Sequence, residues 1–406
     1  MSDRLRIPFV FLAAILTMVI IVTVSAPEPD PFDGAAVVNP PFAPLTYGMH
    51  AFLWWDGGEV GLNLDWARMM RFNHIKQIVA WSDVQHEEGA DFNLSRLGGI
   101  LEETERRGLY LVVRLGYVPR WAAQPDTNFE TAVDYAPRDP AEFAAYCGAV
   151  ASAFPGRIKA YQILNEPNLS REWSGLRPDA AAYVESLAAC SQAIRAADPA
   201  AILISAGLSP TGNDDDIARR DDLYLQDMYN LGFQRYVDVV GVHAAGYDAP
   251  EVGPDDAEAK GRQRFMSFRR VEDLRKIMVA NGDSARQMAI LEVGWTTNPI
   301  NPDYSWYAVS QEQQADYMVR AYAYAAEHWR PWVGLMSGIF LANPIWTEDN
   351  EEYWFSITEP HLSEGYISIR PAFDKLLRMG KVCGDITLPA YPPVGSTPNE
   401  PANPCP

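Results

Sequence analysis

The stretches ILNEPN, at residues 163–168, and ILEVGW, at residues 290–295, each run from apolar residues directly into a carboxylate. This pattern is typical of a buried strand whose last residue leaves the sheet and enters a loop. A carboxylate beside a hydrophobic strand is costly to place, so its occurrence in both stretches needs a reason. Two such strand ends, more than a hundred residues apart, predict two acids that face one ligand.

The rest of the chain alternates between apolar runs and helical patterns. Helices are predicted over 66–72, with Asp65 as the cap, and over 94–107, 140–154, 179–198, 221–231, 271–281, 311–328 and 370–379. Between them lie eight predicted strands, at 47–52, 74–81, 110–115, 158–164, 201–206, 237–243, 288–292 and 334–340. Most of these runs are continuously apolar, which indicates a parallel sheet covered by helices.

The eight-fold alternation predicts an α/β fold of the (β/α)₈ TIM-barrel type. The alternative is an open doubly wound sheet. Such a sheet normally has a glycine-rich phosphate turn after its first strand, and residues 47–51, YGMHA, do not provide one.

The predicted barrel, residues 44–388, is preceded by an apolar segment. Residues 7–26 are nearly all apolar and long enough to cross a bilayer, and Arg4 and Arg6 precede them. We therefore expect residues 1–26 to be a signal anchor or a cleaved signal peptide, which places the barrel on the extracellular face of the membrane or in the medium. A Pro-rich linker or loosely docked arm, residues 27–43, and a Pro-rich tail, residues 389–406, complete the predicted organisation.

The composition of the chain disfavours several classes of binding partner. The chain has 406 residues, of which 48% are hydrophobic, and a formal net charge of −20. This charge argues against nucleic acid and anionic membrane surfaces as partners and disfavours a polyanionic substrate. The membrane contact that we expect is through the N-terminal segment only. The sequence does not predict the oligomeric state.

The four cysteines do not indicate a metal site. Cys147, Cys190, Cys383 and Cys405 form no CxxC pair and lie near no histidine at ligand spacing. In an exported protein, Cys147 with Cys190 and Cys383 with Cys405 are possible disulfides, and free buried thiols are the alternative. We expect neither a metal nor an organic cofactor.

Polar residues at the ends of the predicted strands are the candidates for chemistry, because barrel enzymes carry their catalytic groups there. They are Arg114, Asn165, Glu166, His243, Glu292 and Asn343. Two carboxylates in this arrangement can flank a glycosidic bond, one as proton donor and the other as nucleophile. Retention of configuration requires about 5–5.5 Å between the carboxyl groups, and inversion requires about 6.5–9.5 Å.

Several motifs resemble those of glycoside hydrolase clan A, the retaining (β/α)₈ glycosidases. LNEPN, at residues 164–168, matches the clan's Asn-Glu-Pro motif, and LEVGW, at residues 291–295, resembles its Glu-Phe-Gly-Trp strand with Val293 in place of phenylalanine. WSDVQ at 81–85 and LGYVPRW at 115–121 resemble the early strands of families 5, 39 and 42. The resemblance spans roughly residues 45–380.

The resemblance implies a role for each matched residue. Glu166 is the expected acid/base, with a raised pKa, and Glu292 is the expected ionised nucleophile, favoured by Arg114 or Tyr247. Asn165 is expected to bind the sugar 2-hydroxyl, and His243 to lie beside the reacting sugar. The chain is rich in aromatic residues, which indicates a large core or a groove lined with rings. The expected sugar platforms are Trp346 above all, with Trp81 and Trp295.

These observations predict a retaining glycoside hydrolase that acts on an extracellular, neutral oligo- or polysaccharide. Two alternatives remain open. One is a carbohydrate-binding barrel without catalysis, although such proteins usually lose one carboxylate. The other is a transglycosylase, which shares the first half of the chemistry.

Overall fold

Eight parallel strands form a closed barrel in the computed structural model, which describes residues 30–55, 60–361, 363–383 and 386–388. Each strand pairs with the next along the chain, and the eighth pairs with the first. This closure confirms the predicted (β/α)₈ barrel and excludes the open sheet. The strands are β1 Thr46–His50, β2 His74–Ala80, β3 Tyr110–Gly116, β4 Ala160–Ile163, β5 Ile202–Ile204, β6 Val239–Ala245, β7 Gln287–Gly294 and β8 Val333–Gly338.

Helices surround the barrel. The longer ones are Val60–Met69, Ser95–Arg106, Pro140–Ala153, Ala180–Ala197, Asp221–Asn230, Arg270–Ala280, Gln311–His328 and Pro371–Arg378. Four short helices lie in the connections, at Trp81–Val84, Pro254–Ala259, Pro302–Ser305 and Glu351–Phe355. Two hairpins that the sequence did not predict pair Thr358–His361 with Tyr366–Ile369, and Lys381–Cys383 with Ile386–Leu388.

One predicted helix start is wrong. The first helix begins at Val60, so Asp65 lies inside it rather than at its cap. The Asp65 carboxylate instead accepts a hydrogen bond from Arg107 at 2.7 Å. By contrast, Asp179 caps the alanine-rich helix as predicted, since its side chain accepts from the backbone N–H of Ala181 at 2.8 Å.

The strands alternate between residues that face the helices and residues that face the barrel interior. The outward residues belong to the main hydrophobic core, as Ile75 and Val79 of β2 show. A separate apolar layer fills the interior at the end where the strands begin. It consists of Phe42, Val112, Ala160, Ile204, Val239, Ala289, Leu291 and Leu335. Polar residues occupy the interior above this layer.

The N-terminal arm closes the bottom of the barrel. Residues 27–43 were predicted as a linker or a loosely docked arm, and the described part from residue 30 packs against the fold. Phe42 is 1% exposed, and its backbone exchanges hydrogen bonds with the Gln287 side chain at 3.0 and 3.1 Å. Arg275 donates to the carbonyl of Pro31 at 3.1 Å. The arm is therefore part of the barrel rather than a spacer.

A disulfide joins two neighbouring helices. Cys147 of Pro140–Ala153 and Cys190 of Ala180–Ala197 are bonded, as one of the two predicted pairings proposed. Cys405, the partner in the second predicted pairing, lies outside the described residues.

Within the described ranges, no helix is long and apolar enough to cross a membrane. The predicted anchor or signal, residues 1–26, and the predicted tail, residues 389–406, lie outside those ranges and remain predictions.

The packing of Phe42 can be tested by its removal. Phe42→Ala opens a cavity in the apolar layer, and we expect it to lower the free energy of unfolding by about 3–5 kcal/mol. Val38→Ala is the matched control, because Val38 lies in the same arm but is 72% exposed. Urea denaturation of both variants provides the measurement. Equal stability of the two variants would show that the arm is a spacer after all.

Candidate active site

The turn after β4 directs Glu166 into the mouth of the barrel. Leu164 and Glu166 both have a positive φ, 59° and 36°, which is uncommon and costs about 1–3 kcal/mol per residue. Backbone hydrogen bonds hold the turn, from Leu164 N to Leu115 O at 2.9 Å and from Glu166 N to Gly207 O at 3.1 Å. The first bond reaches β3 and the second reaches the segment that follows β5, so the neighbouring parts of the barrel stabilise this unusual conformation.

A bulge in β7 turns Glu292 toward the same space. Val242 of β6 pairs with Ile290, but the next residue, His243, pairs with Glu292 and skips Leu291. Ile290 faces the helices and Leu291 the interior. Regular alternation would turn Glu292 toward the helices, so the bulge re-aims it into the mouth. The strand continues to Gly294, two residues beyond its predicted end.

The two carboxylates meet on either side of His243. A carboxylate oxygen of Glu166, one of Glu292 and a ring nitrogen of His243 all lie within 4.8 Å of one another. His243 Nδ1 is 2.8 Å from Glu166 Oε1 and 3.7 Å from Glu292 Oε2. A Cβ at Gly207 would lie 2.2 Å from the His243 ring, so only glycine leaves room for this ring.

A buried lysine that the sequence reasoning missed also contacts Glu292. Lys76 of β2 is 0% exposed, and its ammonium donates to Glu292 Oε1 at 2.7 Å and to the carbonyl of Leu291 at 3.3 Å. His50 of β1 is also buried, with Nδ1 3.6 Å from Glu292 Oε1. The signal in the sequence was a lysine at an inward position of a strand, where lysine is rarely buried without a partner.

These neighbours determine the charge of Glu292. Burial alone would raise its pKa, but His243, the Lys76 ammonium and His50 outweigh burial and hold the pKa well below its ordinary value. Glu292 is therefore ionised at neutral pH, as expected for a nucleophile. The donor in direct contact with Glu292 is Lys76, which was not predicted. The predicted Arg114 attracts Glu292 only from a greater distance.

The expected raised pKa of Glu166 is wrong. Burial acts to raise this pKa, but the hydrogen bond with His243 and the charge of Arg171 lower it below its ordinary value. The Arg171 guanidinium lies 3.6 Å from Glu166 Oε2. Sequence reasoning missed Arg171 because it lies in the short turn after β4, beyond the motif.

Arg114 lines the mouth of the barrel but pairs with acids other than the nucleophile. Its guanidinium is 3.3 Å from Glu172 and 3.8 Å from Asp134. Burial raises the pKa of Glu172 to about 7, although Arg114 acts against this rise. Glu172 is thus a further acid in the cleft, with a pKa near neutrality, and the sequence analysis did not identify it.

Asn165 and Tyr247 both line the wall of the cleft. The Asn165 side-chain oxygen accepts from the Gln162 amide at 3.1 Å. The Tyr247 ring packs on Tyr307 at 4.7 Å. Among the described residues, Tyr247 makes no hydrogen bond to Glu292.

The three tryptophans predicted as sugar platforms are buried and do not line the cleft. Trp81 is 1% exposed and stacks on Tyr146, while Trp295 is 0% exposed and donates to the carbonyl of Asp248. Trp346 is 8% exposed and packs behind the rings that do line the cleft. Those rings are Phe52, Tyr117, Tyr247, Tyr304, Tyr307, Phe340 and Phe355. Each tryptophan follows a strand, but the helices and loops above bury its indole.

The carboxylates lie in a cleft of about 360 Å³ at the C-terminal end of the strands. This volume is near the lower end of the range for small-molecule sites. An ionic chain crosses its mouth, since Arg171 lies 3.5 Å from Glu351 and Tyr304 donates to Glu351 at 2.6 Å. Three loops, those after β4, β7 and β8, therefore meet above the carboxylates.

Glu166, His243 and Glu292 also have the donor atoms of a metal site. A dication there would lie beside the buried Lys76 ammonium, which already neutralises Glu292 at 2.7 Å. The donor set therefore fits a metal ion poorly. That the protein needs no metal remains a prediction.

The ion pair between Lys76 and Glu292 can be tested through stability. Glu292→Gln leaves the Lys76 ammonium buried without its counter-charge, so we expect the free energy of unfolding to fall by roughly 3–5 kcal/mol. Adding Lys76→Met to the same chain removes the unpaired charge and should restore most of that loss. Chemical denaturation at neutral pH measures both steps. A Glu292→Gln variant as stable as the wild type would contradict the pairing.

Comparison with known proteins places the fold. No protein-family model matches the chain, and no curated protein matches it. Among solved structures, a family 39 glycoside hydrolase from the gut symbiont Bacteroides cellulosilyticus WH2 aligns with a TM-score of 0.59 and 18% identity. A family 39 β-xylosidase from Caulobacter crescentus aligns at 0.58 and 15%, and a family 1 β-glucosidase from Thermotoga maritima at 0.56 and 14%.

The coverage of these matches differs. The alignments cover 83%, 82% and 82% of this chain, in the same order, and 63%, 70% and 96% of the solved chains. The chain therefore spans less than two thirds of the length of the first structure. At these identities the likeness concerns the fold. The resemblance to (β/α)₈ glycoside hydrolases that the motifs indicated is confirmed at that level, and family 39 is one of the families whose early strands the sequence resembles.

Proposed function

We propose that the protein is a retaining glycoside hydrolase that cleaves O-glycosidic bonds of an oligo- or polysaccharide by double displacement. The observation that carries the proposal is the approach of a Glu166 oxygen to within 4.8 Å of a Glu292 oxygen. An oxygen–oxygen approach this short is compatible with the separation of about 5–5.5 Å between the carboxyl groups of retaining enzymes, and it favours retention over inversion, which needs about 6.5–9.5 Å to admit a water molecule.

The electrostatics assign the two roles. Glu292, held ionised chiefly by the Lys76 ammonium, attacks the anomeric carbon and forms a glycosyl ester. Glu166 donates its proton to the leaving oxygen and then takes one from the water that cleaves the ester. The Asn165 amide donates to the sugar 2-hydroxyl, a contact that strengthens in the transition state.

The likeness to structures named β-xylosidase and β-glucosidase suggests the first substrates to test, which are aryl β-glucosides and β-xylosides. An extracellular site of action is part of the proposal. It depends on residues 1–26, whose composition predicts export.

Two alternatives remain. A binding barrel without catalysis is disfavoured by the retention of both carboxylates and by the buried cation that ionises one of them. A transglycosylase shares the first step, and product analysis separates the two, since transfer gives products longer than the substrate.

Azide rescue tests the two roles separately. Glu292→Gly should lower the turnover of an activated aryl glycoside by more than about 1,000-fold. Azide should restore turnover and yield a glycosyl azide of inverted configuration. In Glu166→Ala, azide should instead attack the glycosyl ester and yield an azide of retained configuration.

The opposite stereochemical outcomes distinguish the nucleophile from the acid/base, and NMR of the products reads them out. Wild-type rates in either variant would overturn the corresponding assignment. The same azide configuration from both variants would overturn the division of roles.

The pH profile tests the influence of Arg171. Glu166 must be protonated to act as the acid, and Arg171 lowers its pKa. Arg171→Met should therefore raise that pKa and move the alkaline limb of kcat/KM to higher pH, since this limb reports the acid in the free enzyme.

The matched control is Arg177→Met. Arg177 is 67% exposed and pairs with Asp216 outside the cleft, so its loss should leave the profile in place. An alkaline limb that stays fixed or moves down in Arg171→Met would refute the assigned influence.

A further inference from the structure

Trp306 differs from the buried tryptophans near the cleft because 56% of it is exposed. Aromatic side chains gain much from burial, so an exposed indole offers a surface that a ligand can cover. Single exposed apolar residues are ordinary on protein surfaces, however. A role for Trp306 in binding therefore depends on its contacts with the rings that line the cleft.

Trp306 extends a row of aromatic rings that begins inside the cleft. Tyr247 and Tyr307 line the cleft, and their ring centroids are 4.7 Å apart. The Trp306 ring packs steeply against Tyr307 at 4.7 Å and lies 6.0 Å from Tyr247. A sugar chain that leaves the catalytic carboxylates along the tyrosines reaches the indole next.

Hydrogen bonds within its own loop hold Trp306 in place. The indole N–H donates to the carbonyl of Asp303 at 3.0 Å. The Asn298 side chain accepts from the backbone N–H groups of Ile300 and Asn301 at 2.9 and 3.0 Å, and Asn301 caps the short helix Pro302–Ser305. Ordering a loop on binding costs affinity, so a ring that is already positioned binds more tightly.

We infer that Trp306 is the platform of a further sugar-binding subsite, outside the catalytic cleft and continuous with its tyrosine wall. The inference rests on the proposed function and specifies its substrate. The ligand is a neutral pyranose with mainly equatorial hydroxyls, because such a ring presents a face of C–H groups to the indole. The substrate is therefore an oligo- or polysaccharide that extends beyond the sugar at the carboxylates.

Dependence on chain length tests this subsite. We expect Trp306→Ala to lower the ratio of kcat/KM for β-linked gluco- or xylo-oligosaccharides to that for the matching aryl monoglycoside by roughly three- to tenfold. Trp306→Phe should recover part of the ratio, because a smaller ring remains. The control is Tyr366→Ala, which removes a half-exposed ring that does not line the cleft and should leave the ratio unchanged.

Binding provides a second measurement that does not need turnover. In the Glu166→Gln background, calorimetry with the same oligosaccharides should show a similar loss of affinity when Trp306 is replaced by Ala. An unchanged ratio and unchanged affinity would overturn the subsite while leaving the glycosidase intact. If the wild type hydrolysed no glycoside, the proposed function would fail, and the calorimetric comparison would still decide whether Trp306 binds sugar.

Discussion

The buried ion pair between Lys76 and Glu292 is the interaction on which the site depends. An ammonium with no solvent contact costs several kcal/mol unless a counter-charge lies beside it, and Glu292 at 2.7 Å supplies that charge. The position of Lys76 follows from the strand register, in which it pairs with His50 of β1 and Val112 of β3. The bulge in β7 brings Glu292 to it. The register of β2 and the bulge in β7 therefore bring Lys76 and Glu292 together, and this contact keeps Glu292 negatively charged.

The same pair explains how charge can be conserved through the proposed double displacement. When Glu292 becomes an ester, it loses its negative charge beside Lys76. In the same step Glu166 loses its proton to the leaving group and becomes a carboxylate. His243 Nδ1 lies 2.8 Å from Glu166 Oε1 and 3.7 Å from Glu292 Oε2, so the two acids are separated by one imidazole ring. The carboxylate that is charged after this step is therefore still close to the Lys76 ammonium. A sugar between the acids also displaces water from Glu166, which acts to raise its pKa toward the protonated form that the first step needs.

Much of this site could be predicted from the sequence, and the remainder depended on features that single-sequence patterns do not carry. Apolar runs that end in Glu166 and Glu292 located the carboxylates, because strand ends in a barrel meet at one face. Lys76 was readable in principle, since it shares its strand parity with the inward Ile78. The bulge was not readable, because it arises from pairing between β6 and β7.

The burial of the tryptophans was also hidden in the sequence. Trp81 and Trp295 follow strands, as a sugar platform would. Whether an indole at such a position faces the cleft or the core depends on which helix packs above it, and the stack on Tyr146 decides this for Trp81.

The charges of the cleft and the net charge of the whole chain, by contrast, both indicate the class of substrate. Five glutamates line the cleft, Glu166, Glu172, Glu292, Glu351 and Glu352, against Arg114 and Arg171, with Lys76 beneath. An acidic sugar would meet an excess of carboxylates there, so the cleft itself, and not only the net charge of −20, favours a neutral substrate.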